Sequence, residues 1–119
     1  MPTVNPSTPL AVADLAPREA GSGPRWGMQS EELNATLLTW PAGHEIASHV
    51  NDEREVMLVV LAGSARVTVD GVAHEVAEQQ LLLIPRGSAR AITAGPEGVR
   101  YLSAHVRRGL LLPTPRVAR

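Results

Sequence analysis

The stretch Ala65-Arg66-Val67-Thr68-Val69-Asp70-Gly71-Val72-Ala73-His74-Glu75-Val76 decides the fold. Ala65, Val67 and Val69 alternate with Arg66, Thr68 and Asp70, the period-two pattern of a strand with one buried face. Asp70-Gly71 is a hairpin signal, because both residues tolerate the positive φ that a two-residue turn demands, and Val72 to Val76 returns. Upstream, Val56 to Leu61 is continuously apolar and reads as a strand buried on both faces. Glu45 to Asn51 alternates weakly, and Leu33 to Trp40 is a β run ended by Pro41-Ala42-Gly43. Downstream, Leu81 to Ile84 reads as a short buried strand stopped by Pro85-Arg86-Gly87. Ala89 to Thr93 and Val99 to Val106 are expected as two strands joined across Gly95-Pro96-Glu97-Gly98. Short strands separated by turns, with no helical periodicity, predict an all-β sandwich or barrel.

The rest of the chain bounds what that barrel does. At 119 residues it is one domain. Residues 1–24 are expected as an irregular arm, 25–108 as the barrel and 109–119 as a tail. The arm carries Pro2, Pro6, Pro9, Pro17 and Pro24; the tail carries Gly109, Pro113 and Pro115. The absence of cysteine excludes disulfides, thiolate metal sites and cysteine nucleophiles, and the absence of lysine excludes Schiff-base chemistry. A net charge of −1 with no basic cluster argues against nucleic acid or an anionic membrane as partner. No secretory leader pattern opens the chain, so a cytoplasmic location is expected. There is neither a Gly-rich phosphate loop nor a G-x-S-x-G elbow.

From Gly43 onward the spacing resembles the cupins, small jelly-roll barrels of two antiparallel sheets. Gly43 is followed by five residues and His49, then Val50 and Asn51, as in the first cupin motif, and Gly63 closes that motif. The second motif maps onto Gln79, Pro85, Gly87 and Arg90. The resemblance implies a single-domain jelly roll that pairs as a homodimer. It also implies a divalent metal held by three His and one Glu, and here the residues diverge. Only His49 matches; Asn51 stands at the second His position and could coordinate only weakly. Arg90 stands at the last one, where a protonated guanidinium cannot be a ligand. The Glu position falls on Glu55 counted from Asn51 and on Val56 counted back from Gly63, a difference that a β-bulge near Arg54 would absorb.

The resemblance turns His49 into the barrel. Period two then carries Asn51, Glu53 and Glu55 the same way if the strand continues, with Arg90 entering from the opposite sheet. Tyr101, Ser103 and His105 share one face of the last strand, so His105 joins the cavity if that face is the inner one. The expected site is therefore His49 and Glu55 as acid/base groups, with Asn51, Glu53, Arg90 and His105 lining the pocket. Imidazole exchanges a proton near neutral pH, and a guanidinium presents a two-donor fork to a carboxylate or enolate. The function this supports is acid/base chemistry on a small organic ligand, an anionic one included: isomerisation, cyclisation or lyase-type proton transfer, with no cofactor. One alternative is a metal-dependent cupin oxygenase, with Fe, Mn, Ni or Zn on His49, Glu53 and His105. Another is a non-catalytic small-ligand sensor. The structural alternative is an Arg90–Glu55 ion pair with His49 merely hydrogen-bonded in the mouth.

Overall fold

The structure, a computed structural model, describes residues 9–12 and 22–107. Most of the expected arm (1–8 and 13–21) and the whole tail 109–119 lie outside the described residues. The described chain is all β: β1 (Gly23–Gln29), β2 (Leu33–Trp40), β3 (Glu45–Val50), β4 (Val56–Val69), β5 (Val72–Ala77), β6 (Leu81–Ile84) and β7 (Ala89–Val106). All pairings are antiparallel.

Two strands are far longer than their sequence punctuation predicts. Gly63-Ser64 and Gly95-Pro96-Glu97-Gly98 read as breaks, yet β4 and β7 run through them and bend. The β4–β7 register shifts between Val60 and Ala62 and again between Gly63 and Ala65, which is where both strands turn the corner. The first half of β4 pairs with β6 and the second half of β7, while its second half pairs with β5 and the first half of β7. β2 joins the second half of β7, and β3 the first. The two expected jelly-roll layers are thus one hydrogen-bonded seven-stranded sheet folded back on itself. At the hairpin the structure follows the sequence: Asp70 and Gly71 have φ of 49° and 85°, the pair of positive values a two-residue turn needs.

Between the layers lies an aliphatic core of Val56, Leu58, Val60, Ala65, Val67, Val76, Ile84, Ile92, Ala94, Val99 and Tyr101. Strict alternation in β4 overturns the expectation that Val56 to Leu61 is buried on both faces: Leu58 is 2% exposed and Met57 39%. In β6, Ile84 is buried whereas Leu81 and Leu83 are exposed, so that strand is likewise covered on one side only. A residue can be apolar and still face outward, and periodicity alone does not separate the two cases.

Candidate functional site in the barrel mouth

The inward set on β7 settles the orientation of Arg90. Arg90, Ile92 and Ala94 are buried, while Ala89, Ala91 and Thr93 between them are only partly so. The Arg90 guanidinium therefore enters the barrel, between two cross-strand neighbours, His49 on β3 and Val69 on β4. The pairing of β3 with β7 is irregular between Ile46 and His49, which brings His49 opposite Arg90.

No ion pair to Arg90 forms among the described residues, and its Nε and Nη2 are buried with no hydrogen-bond partner. The alternative Arg90–Glu55 ion pair does not form: Glu55 is exposed, and Glu53 contacts Arg54 Nη2 at 3.3 Å. Burial pushes the Arg90 pKa down, and the group stays charged all the same.

His49 and His105 differ in what their nitrogens have left to do. The His49 ring is exposed, and its Nδ1 lies 3.3 Å from the Ala47 carbonyl oxygen. A carbonyl only accepts, so this contact puts the proton on Nδ1 and leaves the Nε2 lone pair for a substrate. His105 shares the inward face of β7 with Tyr101 and Ser103, and both its nitrogens are engaged. Nδ1 donates to the Val106 carbonyl at 3.1 Å and Nε2 accepts from Asn34 Nδ2 at 3.3 Å. His105 is held as a structural residue.

The connection from His49 to β4 does not continue as a strand. β3 ends at Val50, and Asn51 Oδ1 accepts from the backbone N–H groups of Glu53 (2.9 Å) and Arg54 (3.3 Å), closing a side-chain-capped turn. Period two therefore stops at Asn51. Glu53 and Glu55 instead line a surface groove of about 440 Å³ with Arg54, Arg86 and Val106. The inward residue at the doubtful motif position is Val56, 7% exposed.

The donor set does not fit the metal that the fold family implies. Its four positions hold His49, an Asn51 whose amide oxygen is already engaged, Val56, and the cation Arg90. Among the described residues no three His, Asp or Glu side chains converge as a cation site, so His49, Glu53 and His105 do not assemble into the alternative centre.

Sequence reasoning passed over a second polar group. Trp40 donates from Nε1 to the buried Tyr101 hydroxyl at 3.1 Å, and the His44 ring stacks on Trp40 with centroids 4.2 Å apart. Trp40 three residues before the turn glycine, on the inward parity of β2, was the available signal. Burial raises the Tyr101 pKa above its ordinary 10.0, and the bond from Trp40 offsets part of that rise. The folded state thus holds this proton more tightly than the unfolded chain does. The resulting stability is complete below pH 10 and is lost as the pH climbs through the folded-state value. Denaturant midpoints should fall above pH 10 in the wild type and much less in Tyr101→Phe. Since Tyr101 is the sole tyrosine, tyrosinate absorbance reports the same titration directly.

Residues 36–105 match the Cupin_2 family, described as a cupin domain. The chain is a cupin. This cupin is 29% identical over 109 residues to the dimethylsulfoniopropionate lyase DddW of Ruegeria pomeroyi, covering 81% of the chain and 71% of that protein. Among solved structures it is similar to a conserved Streptococcus pyogenes protein of unknown function, with a TM-score of 0.68 and 24% identity over 87% of this chain and 90% of that one. It is also similar to the Cnp3 cupin domain of Schizosaccharomyces pombe (TM-score 0.62, 24% identity, 69% of this chain), of which it spans 61%. At these identities the structural likenesses establish the fold. No helix among the described residues is long and apolar enough to cross a membrane.

Proposed function

We propose that this cupin is a small-molecule lyase working by proton transfer in the barrel mouth. The observation that carries the reading is the His49–Arg90 cross-strand pair: a histidine with an unoccupied Nε2 lone pair beside a buried positive charge. The similarity to a dimethylsulfoniopropionate lyase supports the lyase class and supplies the first compound to try. In such an elimination, Nε2 of His49 takes a proton from the carbon next to the carboxylate. The C–H electron pair becomes the new C=C bond, and the bond to the sulfonium breaks with its electrons leaving on dimethyl sulfide. The carbanionic charge that develops toward the carboxylate is stabilised by the Arg90 guanidinium. In this reading the imidazolium returns its proton to solvent directly, since the His49 ring is exposed, and Glu55 on the neighbouring connection has at most an auxiliary part.

The test is dimethyl sulfide release from dimethylsulfoniopropionate, measured by gas chromatography on the purified full chain, with and without chelator. Turnover should persist in chelator, because no step requires a metal. His49→Gln should lower kcat by about 100-fold, the low end of the contribution of a positioned base. Glu55→Gln should lower it by less than tenfold. Unchanged turnover in His49→Gln, or no elimination from this or related β-substituted carboxylates, refutes the reading.

A further inference from the structure

The unpartnered donors of Arg90 are a particular pair. Nε–H and the Nη2 amino group lie along one edge of the guanidinium, so their N–H bonds run nearly parallel at the separation of two oxygens on one carbon. A side chain 5% exposed, fixed in charge and idle along that edge, bears a desolvation cost that no contact within the described protein returns. Val69 across β4 and Ile92 two residues along β7 are apolar and cannot accept a hydrogen bond, and the exposed His49 ring across β3 accepts none from this edge. The nearby acids do not supply the counter-charge, for Glu53 contacts Arg54 and Glu55 faces outward.

We propose that the Nε/Nη2 edge of Arg90 is a binding site for the carboxylate of a small monoanionic ligand, taken bidentately in the barrel mouth. One guanidinium balances one negative charge, and a phosphate dianion would keep a surplus charge in apolar surroundings. Both donors are shielded in the free protein, so the mouth must part to admit the ligand. β3, whose pairing with β7 is already interrupted between Ile46 and His49, is the wall placed to give way. The inference deepens the lyase reading, on which it rests for the catalytic use of the site, but it concerns binding and is measurable without turnover.

Propionate is the probe, since it has the carboxylate but no leaving group. Propionamide, the neutral isostere, and inorganic phosphate at equal ionic strength are the comparisons. Titration calorimetry and thermal melts on the full chain should show propionate binding the wild type and raising its melting temperature, with propionamide and phosphate ineffective. Arg90→Lys keeps the charge without the fork and should weaken binding at least tenfold. Arg90→Met should abolish binding while melting no lower than the wild type in the absence of ligand, because it removes a charge that has no partner. The proposal is overturned if propionate does not bind the wild type, if it binds wild type and Arg90→Met alike, or if phosphate binds as tightly. A ligand-free Arg90→Met protein that melts well below the wild type also overturns it, by showing that the guanidinium is already paired. Arg90-dependent propionate binding with no elimination activity would uphold the site and remove only the lyase reading.

Discussion

Gly63→Ala is expected to abolish cooperative folding, a loss of more than about 4 kcal/mol. Gly63 has a φ of +75°, and an added Cβ would be driven into the carbonyl oxygen of Gly98, with the Gly98 carbonyl carbon at 3.0 Å and Val99 Cα at 3.2 Å. Every one of these atoms is backbone, so no rotamer change relieves the clash. Gly98 is itself confined, with a φ of +81° and the Trp40 carbonyl oxygen 2.9 Å from where its own Cβ would lie. The corner at which β4 and β7 bend is thus a stack of main chains in contact, and side chains are excluded from it. Gly71→Ala is the control. Its φ is +85°, but nothing lies within 4 Å of the new methyl, so only the backbone strain of about 1–2 kcal/mol remains. Urea unfolding followed by circular dichroism separates the two, and a Gly63→Ala protein as stable as Gly71→Ala would show that the corner yields.

Leu58→Ala should cost about 3 kcal/mol and Met57→Ala less than about 1 kcal/mol, although the two residues are adjacent on one strand. Leu58 is 2% exposed among Val56, Val60 and Tyr101, where truncation leaves a cavity that the shared strands cannot collapse around. Met57 is 39% exposed on the outer face, paired with Leu83 and Ala104. Equal losses in the two variants would mean that the outer face is covered as well.

This contrast shows what was legible in the sequence. Around Asp70-Gly71 one face is polar and the other apolar, and the chain states its own register. In Val56 to Leu61 both faces are apolar, so the pattern carries no information about which side is covered. Gly63 and Gly98 have the composition of turns, yet their positive φ serves a bend within a continuous strand, a distinction set by the partner strand. β1 was hidden for a related reason. Pro24 argues against a strand except at an edge, which is where β1 lies, with a register shift between Pro24 and Trp26.

In the site, the inward sense of Arg90 was legible because that part of β7 alternates regularly, whereas His49, expected to turn into the barrel, is exposed on a strand whose pairing is interrupted between Ile46 and His49. Motif spacing failed from Asn51 onward because the Asn51 side chain caps a turn and ends the period-two count. That Asn34 engages Nε2 of His105, and that one edge of Arg90 is idle, are properties of tertiary contact. No local pattern encodes them.

β7 also governs when this molecule can exist during synthesis. It is the last described strand, and it pairs with β2, β3 and both halves of β4, joining Leu33 to Val106 and Met57 to Ala104. Until Ala89–Val106 has cleared the ribosome, β2 and β3 have no partner that closes the barrel. The apolar faces of β2, β4 and β6 meanwhile wait uncovered, and only hairpins such as β4–β5 can form. A nascent chain of this cupin therefore carries uncovered apolar surface through most of its elongation, and its folding is a late event.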